Sequence, residues 1–179
     1  KGGNLLLDAG ASSLSLPAIF PEPDTSLDTL KARANWKISG DIIDVKLEKI
    51  DFAGPDAAGS ARGNYRFTGE GPGEIDLVAT VDRADSRAVW RYHTARRGAA
   101  TRGVVGGRGY DGRLVLKGDL KDFPFRDGKS GKFIVTAKAA DAKIDYANGW
   151  PVIEHIDADM TFGVGMKIAA STGSIFGAK

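Results

Sequence analysis

Cysteine is missing altogether, and histidine occurs only at His93 and His155. Without cysteine there is no disulfide framework, no thiolate zinc site and no cysteine nucleophile. Two histidines are also a poor ligand count for a metal centre, and none is expected. Long apolar runs are absent: no stretch approaches the roughly 18 apolar residues that a membrane span needs. Charge of one sign is not in excess, with 25 Lys and Arg against 23 Asp and Glu. No strong field therefore draws the whole chain to nucleic acid or anionic lipid. The chain opens on Lys1-Gly2-Gly3 with neither an initiator Met nor a signal peptide, so residues 1–179 read as a single internal segment of a longer protein. No GxSxG, P-loop or dinucleotide fingerprint occurs, because "GVVGGRG" lacks the strand before it and the helix after it that such motifs need. The expectation is a protein that is not an enzyme and carries no cofactor.

What is present is glycine, 24 residues of it, and alternation. Glycine destabilises helix interiors by roughly 1 kcal/mol each, which points away from helices. Period-2 patterning argues for half-buried strands. In "IDADMTFGVGMKIAA" every even position from Ile156 to Ala170 is apolar, and only Gly163-Val164-Gly165 interrupts, which predicts a hairpin there. "KARANWKISG" places Ala32, Ala34, Trp36 and Ile38 on one face. In "DIIDVKLEKIDF", Ile43, Val45 and Leu47 are in phase, and Ile50 and Phe52 resume one residue out of step, which predicts a β-bulge near Glu48 and Lys49. Ile75, Leu77, Ala79 and Val81 follow, then Leu114 and Leu116, then Phe133, Val135, Ala137 and Ala139, then Ile144 and Tyr146. Turn signals separate these runs at Ser39-Gly40-Asp41, Gly54-Pro55-Asp56, Gly69 to Gly73, Asp127-Gly128 and Asn148-Gly149. The fold expected is mainly β: a curved antiparallel meander with little helix. "SLDTLKARA" and Arg83 to His93 are the only weak helix candidates. "LKARANWKISGDIIDVKLEKIDF" and "IDADMTFGVGMKIAASTGSIFGA" share one hairpin plan, a weak internal repeat.

One apolar face ordinarily means the core of a closed sandwich or barrel. Several of these positions are alanine, however, and packed cores want larger side chains to reach native density. A sheet lined by small and large apolar groups can instead curl around something else that is apolar, and the pattern alone does not choose.

Outside that face little resembles a site. His155 sits on the wet face beside Glu154, and Asp157 and Asp159 share one strand face, as solvated acids commonly do. Residues 95–112 are expected to form a Gly- and Arg-rich loop. Arg96, Arg97 and Arg102 there are weak candidates for contact with phosphate head groups or another polyanion, against the plainer reading of a solvated loop.

Five stretches then raise a family: "LSLPAIFPEP", "LDTLKARANWKISGD", "GNYRFTGEGPGEIDLVATVDRADSRAVWRY", "LVLKGDLKDFPF" and "YANGWPVIEHIDADMTFGVGMKIAA". With Pro72 to Leu77, Asp122 to Phe125 and Gly149 to Pro151 as markers, the chain resembles the YhdP-like proteins of the AsmA-like group. It departs at Ala95 to Gly112, where that family usually carries a helix-like stretch. The resemblance implies a periplasmic segment of an inner-membrane-anchored, bridge-like lipid transfer protein of Gram-negative bacteria. It implies an open β-groove whose concave face is apolar. Phospholipid acyl chains would lie along that face between the inner and outer membranes, supporting the outer-membrane barrier. Nucleic acid is not an expected partner. The groove-lining residues expected are Val45, Leu47, Ile75, Leu77, Val81, Ile156, Met160, Phe162 and Ile168. The competing expectation is a closed β-sandwich or barrel without lipid cargo.

Overall fold

Alternating runs joined by short polar turns have few options besides pairing with their sequence neighbours. The computed structural model describes residues 1–15, 24–85, 103–145 and 149–176 and shows that outcome. Its strands are β1 (Gly2–Ala9), β2 (Ser12–Ser15), β3 (Asp24–Leu27), β4 (Thr29–Ser39), β5 (Ile42–Ala53) and β6 (Ala57–Phe67), then β7 (Glu74–Asp85), β8 (Gly103–Asp119), β9 (Gly131–Asp145), β10 (Ile153–Phe162), β11 (Met166–Ala170) and β12 (Ser174–Ile175). One sheet runs β1-β4-β5-β6-β7-β8-β9-β10-β11, with β12 pairing β10, and β2 and β3 form a separate hairpin. Every pairing is antiparallel. The only helical piece among the described residues is a 3-10 turn, Leu120–Asp122.

The sheet is curved and open. Its edges, β1 and β11, do not pair with each other. The closed sandwich or barrel is therefore not what forms. "SLDTLKARA" is the end of β3 and the start of β4, because its apolar residues at spacing two find partners in β5. Of the second helix candidate, Arg83 to Asp85 end β7, and the rest lies outside the described residues. The stretch expected as a loop over 95–112 is corrected in part: from Gly103 onward it is the first half of β8. Glycine does not exclude a strand where a neighbouring ladder supplies the hydrogen bonds, and β8 pairs β9 from Gly103 and β7 from Arg108.

Several bulges fall at polar residues. Leu47 faces Ala34 while Lys49 faces Arg33, so Glu48 is the extra residue, at the predicted phase change. The side chain of Glu48 accepts a hydrogen bond from Asn35 at 2.9 Å. Asp111, Asp141 and His155, at the irregularities of β8, β9 and β10, adopt left-handed φ of 51°, 53° and 55°. Asp and His tolerate this region better than β-branched residues do.

Among the described residues no second sheet faces this one, and much of the burial comes from neighbours within it. Apart from Phe125, Ile156, Leu27 and Leu116, the buried apolar positions of the described residues are all alanines: Ala34, Ala79, Ala139, Ala142 and Ala158. This is why alanine appears where a two-layer core would want leucine.

Candidate functional site: the apolar face

Residues directly opposite in a ladder share a face, so the register alone assigns the two sides of the sheet. Leu7, Ala32, Ile50, Ala61, Ala79, Leu114, Val135, Phe162 and Met166 are successive partners. They form an unbroken apolar row across all nine strands of the path. One position along, Asp8, Lys31, Asp51, Ser60, Thr80, Arg113, Thr136, Thr161 and Lys167 are also successive partners, and every one is polar. Along these two rows the sheet is apolar on one side and polar on the other from edge to edge, and Val78, Val115 and Ile134 make an apolar island on the wet side.

Further apolar rows flank the central one. Leu5, Ala34, Leu47, Gly63, Leu77, Leu116 and Phe133 run on one side of it. Beyond them lie Trp36, Val45, Tyr65, Ile75, Gly118 and Gly131. On the other side, Leu30, Phe52, Gly59, Val81 and Gly112 form a row on β4 to β8, matched on β9 to β11 by Ala137, Met160 and Ile168. All nine residues expected to line a groove fall on this face. Ile156, two residues before Ala158, shares that side chain's face and packs with Ala139, Ala142 and Ala158. Arg96, Arg97 and Arg102 lie outside the described residues.

The wet face carries exposed cross-strand ion pairs: Lys31–Asp8 at 3.2 Å, Arg66–Asp44 at 3.7 Å, Lys117–Asp76 at 2.7 Å and Lys138–Asp111 at 3.5 Å. Pairs this exposed contribute little each, so their main effect is to keep this side in water. A shallow hollow of about 740 Å³ lies here, bordered by Lys46, Asn64, Arg66, Asp76 and Lys117. Twisted sheets are saddle-shaped, so each face is hollow along one diagonal, and long charged side chains deepen this one. The exposed His155 meets the Asp141 carboxylate through Nδ1 at 2.7 Å, and Asp157 Oδ1 accepts the Asp141 N–H at 3.0 Å. Both contacts brace the paired bulges. Among the described residues, no three His, Asp or Glu side chains are placed to hold a metal ion.

The sequence markers have structural work. Tyr65 lies on the apolar face and donates its hydroxyl to the Pro72 carbonyl at 2.9 Å. A Cβ at Gly73 would sit 2.8 Å from that hydroxyl, so the Pro-Gly pair makes room for the ring. Gly149 (φ 77°) begins the approach to β10, with Trp150 exposed beside it.

The Asp-Phe-Pro-Phe marker does something that pattern reading missed. Between β8 and β9, residues 120–130 turn back onto the apolar face. Phe125, 1% exposed, covers Gly118 and Gly131: a Cβ on Gly131 would be 2.5 Å from its ring. Phe123 stands edge-on to Phe125 at 5.9 Å and to Phe133 at 5.3 Å. The segment is pinned at both ends. Leu120 donates its N–H to the Gly73 carbonyl at 2.9 Å. Asp119 is held below its usual carboxylate range by the Lys121 backbone N–H and then by the Lys121 side chain. Asp127 is lowered chiefly by the Ser130 hydroxyl and then by the backbone N–H groups of Lys129 and Ser130. Both folded values lie below the unfolded ones, so this anchoring is present at neutral pH and is lost as pH falls through the lowered values. The signal in the sequence was two glycines at paired apolar-face positions, where large side chains are expected.

The sequence model of the YhdP protein family matches residues 1–179. The chain is 23% identical over 183 residues to the intermembrane phospholipid transporter YhdP of Escherichia coli (strain K12), an alignment covering 92% of this chain and 14% of that protein. The chain therefore corresponds to a small part of the curated relative it matches. No solved structure matches. No helix of the described residues is long and apolar enough to cross a membrane.

Proposed function

The chain belongs to the YhdP family, and from that premise we propose that it is a periplasmic segment of a bridge-like lipid transfer protein. Phospholipid acyl chains move along its apolar face between the inner and outer membranes, and the outer-membrane barrier depends on that flow. The observation that carries this reading is the central row, apolar on all nine strands of an open sheet, with no second sheet packed on it among the described residues. The relative's name, a phospholipid transporter, supports it.

Physics supplies the mechanism without a catalytic residue. Stripping an acyl chain of about 16 carbons into water costs on the order of 10 kcal/mol at ~0.8 kcal/mol per CH₂. Passing it from bilayer to an apolar row exchanges one hydrocarbon environment for another, so the net change is small and the sheet conducts without trapping. Head groups travel on the open, watered side of the chains. Val45, Leu47, Ile75, Leu77, Val81, Ile156, Met160, Phe162 and Ile168 are the proposed contacts. Edges β1 and β11 are left for neighbouring strands of a longer sheet, which would prolong the rows.

The test places a photocrosslinking residue at Met160 in one strain and at Asp159 in another, within the full-length protein in cells. Met160 pairs Ala137 and Ile168 on the apolar face; Asp159 pairs Lys138 on the wet face. Phospholipid is expected on the protein from the Met160 site and not from the Asp159 site. Equal labelling at the two, or none beside a working positive control, ends the conduit reading.

A further inference from the structure

We infer that residues 120–130 act as a strap that narrows the lipid-bearing face at β8 and β9, and that Phe123 is the residue that sets how many acyl chains pass abreast. This rests on the reading of the apolar face as a path for acyl chains.

The argument is one of lanes. Rows on the same face are two residues apart along a strand, about 7 Å, which is a little more than the width of one extended hydrocarbon chain. On β5 to β7 the rows through Val45, Leu47, Ile50 and Phe52 lie side by side. On β8 and β9 the first of these reaches Gly118 and Gly131, and Phe125 fills the space their missing side chains leave. The second reaches Phe133, against which Phe123 rests at 5.3 Å. The other two continue past the strap, through Leu114 and Val135 to Phe162 and through Ala137 to Met160, and a further row joins them through Gly109, Ala139 and Ala158. Of the four rows that lie side by side on β5 to β7, the strap therefore takes two on β8 and β9, and the path narrows there. Phe125 is the fixed part, wholly enclosed. Phe123, 38% exposed, is the part in contact with whatever lies in the second lane.

The experiment again uses the full-length protein in cells. A photocrosslinking residue replaces Phe133, under the strap, or Met160, in an open lane, each with and without Phe123→Ala. With Phe123 intact, strong lipid labelling is expected at 160 and weak labelling at 133. Phe123→Ala should raise labelling at 133 by roughly fivefold, the scale on which one aromatic pair biases an occupancy, and leave 160 unchanged. Phe123→Tyr should restore the low value, which separates the loss of a ring from loss of folding. Labelling at 133 that equals 160 with Phe123 in place, or that ignores Phe123→Ala while 160 labels well, overturns the strap. Absence of labelling at 160 in every strain removes the acyl-chain premise, and the strap falls with it.

Discussion

Val81→Asp is expected to stop lipid passage, and Thr80→Asp, one residue away, to leave it close to normal. Val81 pairs with Gly59 on one side and Gly112 on the other, so it is the main side chain over that part of the apolar face. A carboxylate there stays in water while the face is empty. It must be desolvated, without a partner, each time an acyl chain crosses it. An uncompensated carboxylate costs several kcal/mol to bury, and each 1.4 kcal/mol is tenfold in a rate or population. Transit should therefore fall by on the order of 100-fold or more. Thr80 points to the wet side, where it meets Ser60 Oγ at 3.0 Å and is the ladder partner of Arg113. A new carboxylate beside a guanidinium in water changes little. The readout is transfer of labelled phospholipid to the outer membrane, with detergent sensitivity of that membrane alongside, at matched levels of full-length protein. Equal loss in both variants would mean that the substitutions act on folding and that the face carries no cargo.

The pair Val81 and Thr80 also shows what the sequence makes legible. Adjacent residues of opposite polarity repeat on strand after strand, and in a meander each strand pairs with the next. The face of every alternating run then follows from its own parity. The bulge at Glu48 was readable because it shifts that parity, moving the apolar set from Val45 and Leu47 to Ile50 and Phe52. The bulges at Asp111, Asp141 and His155 are harder to read, since glycine and alanine around them blur the phase. Glycine also hid β8. Gly103, Gly106, Gly107, Gly109 and Gly112 have no side chains to alternate, so the pattern vanished where the ladder did not. The strap left only the trace of Gly118 and Gly131 on the apolar face. It depends on Phe125 finding Gly131 six residues away and Phe123 finding Phe133 ten residues away, contacts within a turn that no periodicity encodes.

Gly59→Ala is expected to be the most damaging single-methyl change in the sheet. Gly59 stands on β6 opposite Phe52 and Val81, and a Cβ there would lie 2.1 Å from the Thr80 carbonyl oxygen and 3.0 Å from the Val81 Cα. Both obstacles are backbone atoms of a strand held by ladders on each side, so neither can step aside as a flexible side chain would. Gly63 is in the same position, where a Cβ would lie 2.2 Å from the Asp76 carbonyl oxygen. Overpacking of this kind costs about 3 kcal/mol when nothing can yield. With a urea dependence near 2 kcal/mol per molar, that moves the unfolding midpoint by roughly 1.5 M. Gly165→Ala, in the β10–β11 turn with open space around it, should shift stability by less than about 0.5 kcal/mol. Urea unfolding of the two variants side by side decides the matter. A Gly59→Ala midpoint like that of Gly165→Ala would mean that β6 can drift away from β7. The absence of side chains at 59 and 63 would then serve the breadth of the apolar face and not the closeness of the two strands.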